Sequence, residues 1–299
     1  MPKPEFHGLL VLDKPGGMTS RSAVNVVQKW FGRKTKIGHT GTLDPLATGV
    51  LVICLGQATR LAEYVQAMRK TYRSTFLLGS RSDTDDSDGT IIASAPAGFA
   101  PPSRQEIEVQ LRSLVGEIDQ VPPAFSAALS EGNRAYDLAR KGTAAELKPR
   151  RILVYHIEIL DYVWPRLEVE VRCGKGTYIR SLARDLGEKL GCGGLVEKLR
   201  RLNVGPFTAD AAIPIDWSRP TPPSDLANWI RPMAEAVVEL PKLQLDADQA
   251  KRFRHGQTLR LAASLSTGEI AVLDSAGNFL GTGLSESTNN LKATKVFSA

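Results

Sequence analysis

Apolar residues run continuously or alternate over short stretches at 7–12, 50–55, 72–78, 151–160 and 167–173, the pattern of β-strands. Between these stretches the apolar spacing lengthens to three and four. Val24, Val27 and Trp30 predict a helix that Ser20 or Ser22 caps and Gly32 ends, and Leu61, Tyr64, Val65 and Met68 predict a second. Ser103 and Glu106 form a capping box ahead of Ile107, Leu111, Leu114 and Val115. Ile179, Leu182, Leu186 and Leu190 lie along one stripe of a helix over about 178–190, with Gly191 as its stop. The run from Val50 to Leu55, bounded by Gly49 and Gly56, reads as a core strand covered on both faces.

The polar stretches divide the chain. Residues 33–48 read as a loop, and 80–102 as a loop or hairpin region rich in Asp, Gly, Ser and Pro. Asp83, Asp85, Asp86 and Asp88 invite a calcium-loop reading, which fails because Gly89 falls one place late and no Glu closes the loop. A solvated turn is expected there. The prolines of 214–223 mark a boundary segment, a short helix is predicted over 225–238, and 239–299 shows short strands separated by turn signals. The expectation is an α+β protein with a mixed, largely antiparallel sheet flanked by helices over 1–238, and a small β-rich domain over 239–299.

With 299 residues, 42% apolar and 23% charged, the chain has the make-up of an ordinary soluble globular protein with room for two domains. Lys and Arg exceed Asp and Glu by 38 to 32, which suits a polyanionic partner without requiring one. Basic residues cluster at Arg33, Lys34 and Lys36, at Arg69, Lys70 and Arg73, at Lys148, Arg150 and Arg151, and at Lys198, Arg200 and Arg201. Three dispersed cysteines argue against a disulfide framework or a cysteine zinc site, and four scattered histidines suggest no metal cluster. No apolar stretch approaches the roughly 18 residues of a membrane span, and the first ten residues lack the apolar core of a signal peptide. A cytoplasmic location is expected.

The candidate chemistry centres on 38–56, GHTGTLDPLATGVLVICLG. Asp44 sits in a turn of small residues directly before the core strand, a stiff support of the kind a reactive group needs. On its own, Asp44-Pro45 is an ordinary turn initiator. The surroundings carry more. This stretch closely resembles the active-site motif of the TruB family of tRNA pseudouridine synthases, Gly-x-Leu-Asp-Pro-x-Ala-x-Gly. Three further stretches match the same family in order: Val11-Leu12-Asp13-Lys14-Pro15-Gly16-Gly17-Met18-Thr19-Ser20, Lys70-Thr71-Tyr72-Arg73, and Gly174-Lys175-Gly176-Thr177-Tyr178-Ile179-Arg180. With Leu199-Arg200-Arg201 the resemblance spans about 7–210.

The resemblance implies a pseudouridine synthase fold ending in a PUA-like RNA-binding domain, and isomerisation of uridine 55 in the T stem-loop of tRNA. It implies Asp44 as the nucleophile, Arg180 as the cation paired with it and Tyr72 as the ring that stacks on the extruded uracil. Tyr178 and Leu199 would line the pocket, and His39 would either enter the T loop or serve as a turn histidine bonded to backbone. Lys14, Arg73 and Arg201 are assigned to substrate binding. The reaction breaks the C1′–N1 bond of uridine and forms C1′–C5, so it needs neither metal nor coenzyme. Whether Asp44 attacks the sugar or the base stays open. A monomer acting without an obligatory protein partner is expected.

One departure matters: Phe125-Ser126-Ala127-Ala128-Leu129 puts Leu129 where the family commonly has a lysine, and Arg134, Arg140 and Lys141 are candidates to compensate. Three other readings stand beside the enzyme. One is a noncatalytic tRNA-binding protein on the same scaffold, and another a guide-RNA-dependent relative. The third, a glycoside or nucleoside hydrolase using carboxylates, would need a second acid that the motif does not offer.

Overall fold

The computed structural model describes residues 6–126, 129, 130, 133, 134, 147–215, 222, 225–262, 265–287 and 289–297. The chain starts with β1 (Gly8–Lys14), crosses α1 (Ser20–Phe31), and returns through β2 (Ile37–His39) and β3 (Thr48–Leu55). It continues through α2 (Ala62–Ala67), β4 (Lys70–Leu78), a small hairpin of β5 (Ser80–Arg81) and β6 (Ile92–Ala93), α3 (Arg104–Arg112) and β7 (Gly116–Gln120). A second hairpin pairs β8 (Leu129–Ser130) with β9 (Asn133–Arg134). Then come β10 (Arg150–Val163), β11 (Arg166–Cys173), α4 (Ile179–Lys189), β12 (Gly194–Val204), β13 (Phe207–Thr208) and β14 (Ile213–Pro214). The last stretch holds β15 (Lys242–Gln244), α5 (Ala247–Arg254), β16 (Leu259–Arg260), β17 (Gly268–Leu273), β18 (Phe279–Ser287) and β19 (Asn290–Val296).

Ten strands form one sheet in the order β14-β1-β3-β12-β4-β11-β10-β7, with β2 on β3 and β13 on β12. The β1/β14 and β3/β12 pairs are parallel and the others antiparallel, so the sheet is mixed but largely antiparallel, as expected. Alternation sends successive residues to opposite faces. Leu10, Leu12, Leu51, Ile53, Phe76 and Val171 pack against α1, α3 and α4, while Leu9, Val11, Val50, Val52 and Cys54 pack on the other side. That second face is closed by Leu61, Val65 and Phe207, by Ala271 of the C-terminal strands and by Phe297 just after the last of them. The β3 run is buried from Gly49 to Leu55, and each fully buried aliphatic side chain in it contributes about 1.5–3 kcal/mol. The C-terminal strands form a five-stranded sheet, β15-β17-β18-β19-β16, around Leu245, Phe253, Ile270, Leu280 and Leu291.

The strand order positions the site. Placing β12 between β3 and β4 sets Arg201 beside both Gly49 and Tyr72. A Cβ on Gly49 would lie 2.1 Å from the Arg201 carbonyl oxygen, so only glycine permits this approach, and its φ of 101° also favours glycine.

Several local expectations change. Thr19 caps α1, accepting from Ser22 N, because Thr19 has the extended backbone of a cap while Ser20 turns inward. The helix predicted from Leu61 opens as 3-10 turns over Gly56–Leu61 before α2. The helix predicted over 225–238 is two short 3-10 turns, Leu226–Trp229 and Met233–Val237. Between them Arg231 pairs in both directions with Leu9, at 2.9 and 2.8 Å, which holds the chain extended just before Pro232. The proline-rich boundary lies mostly outside the described residues.

Candidate active site

Asp44 is held from behind by four side chains. Thr40 donates through its N–H and its hydroxyl to the Val52 carbonyl, at 3.0 and 3.2 Å. The buried Ser20 hydroxyl accepts from Leu43 N at 2.8 Å and donates to Leu43 O at 3.1 Å. Lys14 is fully buried, and its Nζ donates to Met18 O at 2.7 Å, Pro15 O at 2.8 Å and Pro45 O at 3.4 Å. Arg201 completes the frame, with Nε donating to Val50 O at 2.6 Å and Nη2 to Gly41 O at 3.2 Å. The turn is braced at each end, and the Asp44 side chain keeps 30% of its surface open.

Arg180, in the first turn of α4, meets that carboxylate. Nη2 donates to Asp44 Oδ1 at 3.0 Å, while Nε lies 3.0 Å from Oδ2 as an ion-pair contact off the hydrogen-bond axis. The rest of the guanidinium is occupied: Nη1 donates to Thr84 O at 2.7 Å and lies 3.3 Å from Asp86 Oδ2, and Nη2 also donates to Phe125 O at 2.9 Å. Arg180 is 3% exposed. A guanidinium stripped of water and matched on its edges has one place to be, so the carboxylate opposite it is oriented as well.

The acidic loop corrects an expectation. Asp83–Asp88 is not a solvated turn, for Asp86 is 3% exposed and faces Arg180, while Asp85 pairs with Arg184 at 2.9 Å. Asp86 Oδ1 accepts from Thr84 Oγ1 at 2.6 Å and Asp88 N at 3.1 Å, so the loop folds around one carboxylate. Burial pushes the Asp86 carboxyl above the usual carboxylate range, against the opposing pull of Thr84 and Arg180. Sequence reasoning missed this residue. The available signal was the alternation of Ser82, Thr84, Asp86 and Asp88, which suits a turn bonded to its own side chains.

Asp44 opens into a cleft of about 620 Å³, a size that takes a small ligand. His39, Asp44, Tyr72, Tyr178, Arg180, Leu199 and Arg201 all line it, so seven of the nine predicted site residues converge. Tyr72 is 8% exposed, and burial holds its phenol above the usual value, with Arg201 as a hydrogen-bond partner. Burial, with Arg201 and Arg21 nearby, lowers His39, whose Nδ1 accepts from Gly41 N at 3.4 Å. Lys70, also in the lining, is pushed down to about 8 by burial, and its Nζ donates to the carbonyls of Gln66 and Met68. Arg150, Arg151 and Lys175 add cationic charge to the walls, and Asp44 is the one carboxylate among the described lining residues. Asp86 stands behind the guanidinium, out of the cleft, so among the described residues no second acid lines it.

Two assignments fail. Lys14 has no exposed surface to offer a phosphate; its charge is spent on backbone carbonyls beneath the turn. Arg73 follows Tyr72 on β4 and therefore points to the opposite face, 3.8 Å from Glu168. Leu129 and Arg134 fall in the β8/β9 hairpin, whose side chains are not described, and Arg140 and Lys141 lie outside the described residues. Among the described residues no group of three or more His, Cys, Asp or Glu is placed to hold a metal ion.

Comparison with known proteins agrees along the whole chain. Residues 28–179 match the N-terminal domain of TruB family pseudouridylate synthases, 180–238 the tRNA pseudouridylate synthase B C-terminal domain, and 241–297 the C-terminal model of pseudouridine synthase II TruB. A tRNA pseudouridine synthase B from Syntrophotalea carbinolica is 40% identical over 84% of this chain and 81% of its own. Another, from Xanthomonas campestris pv. campestris, is 39% identical over 98% and 94%. A chain in the crystal structure of a Cbf5-Nop10-Gar1 complex superimposes with a TM-score of 0.74 at 26% identity, covering 98% of this chain and 85% of that one. A chain in an H/ACA RNP bound to a substrate RNA containing 2′-deoxyuridine gives 0.73 at 24%, covering 98% and 86%.

Proposed function

The chain belongs to the TruB family of pseudouridine synthases, and on that footing we propose that it converts uridine 55 in the T loop of tRNA to pseudouridine, with Asp44 as the nucleophile. The observation that carries this reading is the Asp44 carboxylate, fixed by a buried Arg180 and open on its other side to a cleft lined by Tyr72 and Tyr178. A carboxylate so placed is aimed into the cleft by a fixed cation, as covalent catalysis on a nucleoside requires. The C1′–N1 bond breaks, the base turns, and C1′–C5 forms in its place. The C5 proton is exchanged for one at N1, and no atom is gained or lost overall.

The uridine reaches the cleft by leaving its stack, at about a few kcal/mol. Stacking on Tyr72 returns roughly 1–3 kcal/mol, so the ring alone does not drive extrusion. Phosphate contacts from Arg150, Arg151 and Lys175 at the cleft supply the remainder, together with His39 entering the vacated space. Burial lowers the His39 pKa from its ordinary value, which favours the uncharged ring and suits insertion among bases. The enzyme acts alone and as a monomer.

Purified protein incubated with an unmodified tRNA transcript, followed by mapping of pseudouridine along the strand, tests the proposal. Modification confined to position 55, with no added protein or guide RNA, is the expected result. Modification elsewhere overturns the specificity, and a requirement for guide RNA overturns the stand-alone reading.

A further inference from the structure

Tyr178 is the N-cap residue of α4, yet its side chain makes no capping hydrogen bond; the ring lines the cleft instead. Helix starts leave N–H groups without intrahelical partners. Here the N-cap N–H is met from outside. Gln120 ends β7 and is 2% exposed; its Oε1 accepts from Tyr178 N at 2.8 Å, and its Nε2 donates to Tyr178 O at 3.1 Å. One side-chain amide thus grips both backbone groups of one residue. The chain that follows is stitched to the same helix. Val121 O accepts from Ser181 Oγ and from Arg184 Nη2, both at 2.8 Å, and Phe125 O accepts from Arg180 Nη2 at 2.9 Å.

We propose that Gln120 is a positioning residue for pseudouridine formation, fixing the Tyr178–Arg180 corner so that ring and guanidinium enter the cleft in the geometry the reaction needs. The inference rests on the function proposed above. Gln120 does not line the cleft and meets no substrate; it acts through its grip on Tyr178. The cationic cleft residues Arg150 and Arg151 lie on β10, where Arg150 faces Gln120 across the β7/β10 ladder, and that pairing runs through backbone groups that a changed side chain at 120 leaves in place. Losing the clamp therefore slows the chemical step and leaves RNA affinity, which phosphate contacts dominate, nearly unchanged.

Only a group that donates and accepts together satisfies Tyr178. Gln120→Leu does neither. Gln120→Glu does both when protonated and loses the donor when ionised, and burial raises its titration. Single-turnover conversion of a T stem-loop hairpin at saturating enzyme, the Kd for that hairpin and the melting temperature are measured for wild type and both variants. Gln120→Leu is expected to lose roughly ten- to hundredfold in rate, with Kd within about twofold of wild type. The ratio of the Gln120→Glu rate to the wild-type rate is expected to fall as pH rises from about 5 to 8. If Gln120→Leu does not fold, the Gln120→Glu ratio alone decides. A flat ratio, a Gln120→Leu rate within twofold of wild type, or a loss confined to Kd overturns the inference. With wild type active, those outcomes sink this inference alone; an inactive wild type sinks the functional reading and this inference with it.

Discussion

Tyr72 and Arg73 are neighbours on β4, and Arg200 and Arg201 are neighbours on β12, yet each pair is divided between two faces with different chemistry. On the cleft side Arg180 and Arg201 are each 3% exposed, and their nitrogens meet backbone carbonyls of Thr84, Phe125, Val50 and Gly41. On the opposite face Arg73 is 53% exposed and its side chain lies 3.8 Å from one carboxylate, Glu168; Arg200 is 40% exposed and pairs with Asp13 at 2.8 Å. An exposed contact such as that of Arg73 contributes about 0–1 kcal/mol, and Arg200 is gripped by both Asp13 oxygens, at 3.0 and 2.8 Å, at a half-exposed position. A buried guanidinium matched to fixed carbonyls holds its place and holds whatever it touches. The difference teaches that arginine marks a site through its surroundings rather than its charge.

Removing the buried cation should give the largest effect. Arg180→Met leaves Asp86 buried without its partner, and we expect stability to fall by about 3–5 kcal/mol in chemical denaturation. Single-turnover conversion should fall by about 10²–10³-fold or more; a loss under tenfold would erase the contrast between the faces. Asp86→Asn keeps the shape and removes the charge behind Arg180. About a tenfold loss in rate at unchanged RNA affinity is expected, because the guanidinium then has one carboxylate to orient it instead of two.

Lys14 sharpens the comparison from beneath the turn. Burial pushes it down to about 8 from an ordinary 10.5, as it does Lys70. The folded chain then binds fewer protons than the unfolded chain between those values. Each lysine's contribution is full above 10.5 and is lost as pH falls through 8, a slope of up to about 1.4 kcal/mol per pH unit. Stability measured from pH 8 to 10.5 should rise less steeply in Lys14→Met than in wild type, and parallel curves would contradict the burial of its charge. The smallest effect belongs to Arg73→Ala. Stability should stay within about 0.5 kcal/mol and the conversion rate within twofold.

Much of the site was legible in advance because its parts sit in short, ordered motifs. Asp44, Tyr72, Tyr178, Arg180, Leu199, His39 and Arg201 converge on one cleft as those motifs implied. Direction was the information missing for Lys14 and Arg73, since a basic residue in a sequence carries no vector. For Arg73 the period of two on β4 contained it: Tyr72 facing inward sends Arg73 outward. For Lys14 nothing local showed that three carbonyls would converge on its ammonium. Asp86 and Ser20 were missed because their partners, Arg180 and Leu43, lie 94 and 23 positions away, and turn propensity speaks only of near neighbours. The helix expected over 225–238 failed for the same reason, since Leu9 captures Arg231 from across the chain.

The central claim is that the Asp44 carboxylate, held by Arg180, performs the chemistry. Asp44→Asn keeps the size of the side chain and removes its negative charge and nucleophilicity. The decisive measurement compares wild type and Asp44→Asn for tRNA affinity and for pseudouridine formed under single-turnover conditions. The account predicts affinity within a few-fold of wild type and no detectable pseudouridine in the variant. Pseudouridine formed by Asp44→Asn at near the wild-type rate would contradict it.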